Sequence, residues 1–378
     1  QCMSEETETS IEVIASKANV FQVWSNPDAS WQVKSGKFFM EELETVDINY
    51  NDLAPLKRKD RQNIQILCEK FQNNKEFLNK KGLTKAIENF EYPLHFIDFE
   101  TSMTAIPYRK GQTPYQMIFF QFSHHILEKD GTIRHAGQYI NLEPFVNPNI
   151  SATRALYQQL KNDNGTIFRW SMHENTVLRK VYDELSLMSN EECNDREELM
   201  KFINEITRGG DREMQDMWQL YKNFHYLPET KGSNSIKYVL PSVLNRFTSM
   251  QDFLSDEVYG KKRLIESLNF TKMAWIEKDE NGNVMDPYNK LPKVYKDYDR
   301  EQLDLLYSEN DLKNGGAAMT AYAVCQFTQI SMGERKRLET ALLRYCELDT
   351  FAMVIIWMYW LEQLGQVEIE SLKEEAFA

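Results

Sequence analysis

In "HFIDFET" two carboxylates, Asp98 and Glu100, stand two residues apart at the end of an apolar run. On a strand that spacing turns both to one face and sends Phe99 to the other, into the core. Carboxylates held that close repel unless protons or cations bridge them, and a hard divalent cation is the common solution. Alone, D-x-E is a weak signal, because a solvated strand end accounts for most instances in an acidic chain. A second pair raises its weight. In "LLRYCELDT" Tyr345 and Asp349 lie four apart on a strongly helical segment, one turn from each other on one face. The apolar run that follows Asp349 leaves its carboxylate in need of a partner. Taken without the first motif, a capping aspartate and a packed tyrosine would suffice. Between the two pairs, "FRWSMHENTV" puts Glu174 in the first turn of a helix, a position the helix dipole favours for any acid and where an exposed carboxylate is expected. His173 beside it reads as a surface or packing histidine. Asp216, in "MQDMWQLY", is read either as a cap of the next helix or as the acid that replaces Glu174.

These side chains need a strand, a middle helix and a last helix to carry them. "LHFIDF" reads as a strand entered after Pro93, "YQMIFFQFSHHIL" as a second, and "GTIRHAGQYI" as its partner across the turn "KDGT". "SATRALYQQLKN" is an amphipathic helix, and "GTIFRW" is a strand that leads into the Glu174 helix. A meander followed by alternating strands and helices predicts an α/β fold with a mixed sheet flanked by helices. Residues 1–88 are expected to form a mainly helical accessory or connector region without chemistry. Residues 89–365 should be the main domain, interrupted by a charged insertion at about 246–313 with an "ENGN" hairpin signal, and 366–378 a tail.

Composition narrows the function classes. A chain of 378 residues with 42% hydrophobic and 12% aromatic residues is too apolar for disorder. Its longest apolar stretch, "FAMVIIWMYWL", is too short for a membrane span and reads as a core helix. Five cysteines without a CxxC pair predict neither a disulfide framework nor a zinc ribbon, and a cytoplasmic setting is expected. The first residues, Gln-Cys, lack a secretory pattern and read as a cut end, with natural sequence expected upstream. A net charge of −13 excludes a protein that coats nucleic acid through bulk charge, though not an enzyme that grips it locally. "YRKG" (108–111), "GKKR" (260–263) and "ERKR" (334–337) are short basic stretches, each more simply read as solvated surface.

The order of the acids resembles the DnaQ-like DEDD 3′–5′ exonuclease superfamily, in the subgroup whose third motif is Y-x-x-x-D. Five blocks, "IDFET", "AIPYRKGQTPYQ", "KGSNSIKYVLP", "GGAAMTAYA" and "LLRYCELDT", are similar to an uncharacterised bacterial family that carries this domain C-terminally, often behind a RecB-like, CRISPR-associated-type nuclease domain. The resemblance covers about 89–362. It implies an RNase H-like sheet, metal ligation by Asp98, Glu100 and Asp349 with Glu174 supporting the second cation through water, and contact of Tyr345 with the attacking water or scissile phosphate. Glu174 stands where the superfamily usually has Asp, and the Asn-x-x-Phe context common before that acid is here Trp170-Ser171-Met172-His173.

On that resemblance the expected activity is two-metal hydrolysis of phosphodiesters with Mg²⁺ or Mn²⁺, releasing 5′-mononucleotides from a 3′ end. The family's fusion partners favour single-stranded DNA over RNA and suggest an upstream nuclease domain in the full-length protein. No membrane partner is expected. Tyr108, Arg109, Lys110 and Tyr115, just after the first strand, are candidates to steer and stack terminal nucleotides. A loop that packs its aromatics on its own domain is an equal alternative. Two other readings compete: a degenerate nuclease fold that binds nucleic acid or assembles complexes, and a phosphohydrolase acting on free nucleotides.

Overall fold

The meander expected from residues 94–140 forms and becomes the centre of the sheet. The structure, a computed structural model, describes residues 17–45, 51–291 and 317–367, with positions 10, 12 and 14. Residues 292–313 of the expected insertion, Gly315 and Gly316 of "GGAAMTAYA" and 368–378 of the expected tail lie outside them. Strands β1 (Leu94–Ser102), β2 (Ile118–Leu127) and β3 (Ile133–Ile140) run antiparallel. β4 (Ile167–Arg169) lies parallel to β1, β5 (Gln215–Asp216) parallel to β4, and β6 (Ile265–Glu266) parallel to β3. The order is β5-β4-β1-β2-β3-β6, the mixed sheet that the sequence pattern predicts.

Each face of β1 has its own cover. Ile97 and Phe99 join an apolar cluster with helices α1 (Asn149–Leu160), α2 (His173–Leu187) and α3 (Arg196–Ile206). The opposite face meets α4 (Ala317–Phe327) and α5 (Met332–Gln363), where Ile118 and Phe120 of β2 pack on Ala318, Ala321, Tyr322 and Leu342. All ten residues of β2 are buried, as a strand covered on both faces requires. "FAMVIIWMYWL" lies within α5 and is buried all round. Among the described residues no helix is long and apolar enough to cross a membrane.

The described residues divide into two compact units: those up to 89 with 218–246 and 359–367, and those of 90–217 with 247–358. Segments 218–246 and 359–367, read in sequence as part of the main domain, cluster with the first unit instead. That unit has a physical anchor in Arg61, on the helix Arg58–Lys70. Its buried guanidinium donates to the carbonyls of Lys222 (3.0 Å) and His225 (2.6 Å) and to Asn234 Oδ1 (2.7 Å). The cation thus closes the carbonyl end of helix Met217–Phe224, where the helix dipole favours positive charge.

In the second unit, Arg154 of α1 grips Asp195, just ahead of α3, through Nε (2.5 Å) and Nη2 (2.7 Å). Those hydrogen bonds bring the Asp195 carboxyl down to about 2. A depressed acid stabilises the fold above its unfolded value near 4, and the contribution is lost as pH falls through the folded value. Asp195→Asn should therefore cost about 1 kcal/mol at pH 7, discounted for partial exposure. Urea melts at descending pH should show the gap closing between pH 4 and 2. An equal gap at both ends would remove the ion pair from the account.

Candidate metal centre

One carboxylate oxygen each from Asp98, Glu100 and Asp349 lies within 4.8 Å of the others. The period of the strand brings the first two together, and a β-bulge between Glu100 and Thr101 re-aims the strand end just beyond them. At that spacing each pair of charges repels by roughly 3–4 kcal/mol at an effective dielectric of about 20. A cation bonded to each oxygen at ~2.1 Å would hold them within about 4.2 Å of one another, so the cluster matches such an ion after small rotations. An all-oxygen donor set suits Mg²⁺ or Mn²⁺.

Helix α5 supplies Asp349, and its register against the sheet is fixed by a closed ring of buried polar contacts, five hydrogen bonds and one carboxylate–imidazole contact. Thr350 meets Ser123 (2.8 Å) and His125 Nδ1 (2.7 Å), and His125 Nε2 meets the Tyr259 hydroxyl (3.0 Å). Tyr259 donates to Glu347 (2.6 Å), whose other oxygen lies 3.2 Å from His135 Nδ1, and His135 Nε2 returns to Ser123 (3.0 Å). Every member is buried, so each bond replaces one that water would otherwise make. The ring brackets Asp349 between Glu347 and Thr350. Below the acids, the Cys346 thiol lies 3.5 Å from Asp98 Oδ2, and burial together with the charges of Asp98, Glu100 and Asp349 pushes the thiol well up.

Glu174 differs from its sequence reading. It does open α2, but it is buried, at 1% exposure, where a solvated first-turn acid was the expectation. The turn ahead of it explains the change. Ser171 adopts the left-handed region (φ 83°), at a cost of roughly 1 kcal/mol, and its N–H donates to Asp216 (3.0 Å). Arg169 pairs with Asp216 at 3.1 Å and also donates to the Ser171 carbonyl. The turn so tied swings Glu174 inward toward Asp98. Burial first, and the charge of Asp98 second, hold its carboxyl well above the usual carboxylate range. Glu174 Oε2 is buried with no hydrogen-bond partner among the described residues. Glu174 lies outside the three-acid group, but a buried acid oxygen without a hydrogen-bond partner, facing the charge of Asp98, fits the edge of a cation site better than a closed core. Asp216, the alternative second acid, is committed to Arg169 and the Ser171 amide.

The loop after β1 splits the four expected nucleotide contacts. Tyr108 is buried and its hydroxyl meets that of Tyr322 (3.0 Å), so it packs on α4 and is not a stacking surface. The apolar face of "AAMTAYA" gives its ring more burial than an exposed loop would. Tyr115 is 67% exposed with φ 57°, Lys110 is exposed and Arg109 half-buried. Tyr345 is half-buried, with its ring centroid 5.7 Å from that of Tyr288. Tyr288 also donates to Asp349 Oδ1. Sequence reasoning passed over it, because a tyrosine in a charged insertion carries no spacing signal that ties it to an acid 61 residues later.

Residues 95–235 match a family model described as a domain of unknown function (DUF2779). The chain is similar to that family over a little more than a third of its length, a span that holds Asp98, Glu100 and Glu174 but neither Tyr345 nor Asp349. No match was found among curated proteins or solved structures.

Proposed function

We propose that the protein is a metal-dependent 3′–5′ exonuclease that shortens single-stranded DNA and releases 5′-mononucleotides. The observation that carries this reading is the convergence of Asp98, Glu100 and Asp349 from β1 and α5, with Glu174 buried within reach of the charge of Asp98. Asp98, Glu100 and Asp349 would hold the cations, with Glu174 as the fourth acid once cation charge lowers its proton affinity. Two Mg²⁺ or Mn²⁺ ions, when bound, neutralise charge on a scissile phosphate and make a water acidic near neutral pH. Tyr345, one helical turn from Asp349, orients that water through its hydroxyl. Tyr115 and Lys110, exposed on the loop after β1, extend recognition past one nucleotide, which supports a polymer over a free nucleotide. The four described cysteines are free thiols, which supports a cytoplasmic setting.

Labelled single- and double-stranded DNA and RNA, incubated with Mg²⁺, Mn²⁺ or EDTA, test the reading. Stepwise shortening of single-stranded DNA from its 3′ end is expected, and none in EDTA. Cation-independent cleavage, or no cleavage of any of these polymers, would overturn it. Tyr345→Phe keeps the ring and removes the hydroxyl, so turnover should fall ~10-fold or more, since proton-handling groups commonly contribute roughly 10²–10⁴. Its melting temperature and cation affinity should stay near wild type. Wild-type turnover would reduce Tyr345 to packing.

A further inference from the structure

Tyr288 sits in a short 3-10 turn, Pro287–Lys290, outside the span that matches the family model. The turn is well held. The Asp286 carboxylate accepts the Tyr288 N–H (3.0 Å), Pro287 is buried, and Lys290 Nζ donates to the Ala274 carbonyl (2.8 Å). Further contacts tie the same insertion to α5: Arg344 Nε donates to the Asn269 carbonyl (3.1 Å) and its guanidinium lies over the Phe270 ring. From this mount one side chain touches both residues of the Y-x-x-x-D pair: the phenol donates to Asp349 Oδ1 and the ring lies against Tyr345.

A carboxylate turns readily about its last torsion, so a ligand oxygen is aimed only if something fixes the plane of the group. A hydroxyl donor does so and, because each carboxylate oxygen has two lone pairs, leaves acceptor capacity for a cation. We infer that Tyr288 is a positioning residue, contributed by the insertion, that fixes the Asp349 carboxylate and the Tyr345 ring and so sets the cation affinity of the acidic centre. This rests on the hydrolase reading only in so far as that reading requires the centre to bind cations. Loss of such a supporting hydrogen bond typically costs 10–100-fold in metal affinity or activity.

Mn²⁺ titration of cation-free protein tests the inference, on wild type, Tyr288→Phe, Tyr345→Phe and Asp349→Asn. Tyr288→Phe should bind Mn²⁺ ~10–100-fold more weakly, Tyr345→Phe like wild type, and Asp349→Asn more weakly still. Melting in EDTA serves as the fold control, and Tyr288→Phe should match wild type there because its ring remains. Saturating Mn²⁺ should recover most of the turnover of Tyr288→Phe, a rescue that a purely structural role would not produce. Unchanged Mn²⁺ affinity would leave Tyr288 as packing, and tighter binding would mean that its phenol occupies the cation's place; either result overturns the inference. If Asp349→Asn also binds like wild type, or wild type binds no Mn²⁺, the metal reading itself has failed, which is a different pattern from failure at Tyr288 alone.

Discussion

Asp98→Asn is expected to abolish cation-dependent hydrolysis without unfolding the protein. The residue is the hub of the acidic cluster, since its charge raises both Glu174 and the Cys346 thiol and its side chain accepts from Cys346. An amide keeps the shape and an acceptor oxygen but loses the charge. If bound cations supply several kcal/mol of transition-state stabilisation, turnover should drop by roughly 10³-fold or more. Stability should move the other way. In EDTA the wild type holds Asp98, Glu100 and Asp349 together with no cation between them, and removing one charge relieves two repulsive pairs. A melting temperature equal to or a few degrees above wild type is expected in EDTA, and Mg²⁺ should raise the wild type more than the variant. Turnover that survives in a folded Asp98→Asn protein would end the metal reading.

Glu174 is the second case where a large effect is expected, and here sequence and structure lead to different experiments. Glu174→Ala, harmless to the fold if the acid were solvated, would open a buried gap, so Glu174→Gln is the cleaner variant. It keeps the volume and cannot ionise. Loss of the fourth acid should lower turnover by ~10²-fold or more. The pH dependence of stability follows from its raised carboxyl. The folded state keeps a proton that the unfolded chain releases above its ordinary value, so stability falls as pH rises through the interval from about 4.5 upward. Glutamine is exempt from that loss. In EDTA, Glu174→Gln should melt above wild type, by a margin that widens as pH rises above about 4.5, and Mg²⁺ should narrow it. Parallel melting profiles with undiminished turnover would exclude Glu174 from the centre. Asp216 is a poor substitute, because Arg169 already neutralises it.

Much of the centre is readable in the chain because it obeys the two simplest periodicities. Asp98 and Glu100 share a face through the period of a strand, Tyr345 and Asp349 through that of a helix. The order of β1, β2 and β3 follows from apolar runs separated by turn residues. Burial of polar groups is what periodicity does not report. Glu174 has the look of an ordinary first-turn acid, and only the strained turn at Ser171 and the Arg169–Asp216 pair carry it inward. His124 and His125 likewise pass as residues of an apolar strand, although His125 is a member of the ring that fixes α5. Tyr108 and Tyr115 are indistinguishable in sequence, and α4 decides which of them is buried. Tyr288 depends on where a loop of the insertion lands, a long-range outcome with no local signature.

The thiol of Cys346 and the carboxylate of Asp98 meet across 248 positions of chain. Contacts of such separation form late, because the entropy of closing a long loop must be met before they stabilise anything. During synthesis β1, β2 and β3 can pair while α5 is still inside the ribosome, but no Asp349 yet stands opposite Asp98 and Glu100. A nascent chain therefore lacks the complete acidic cluster until α5 has emerged and docked, and on the proposed function the timing of assembly would itself safeguard the nucleic acid around it.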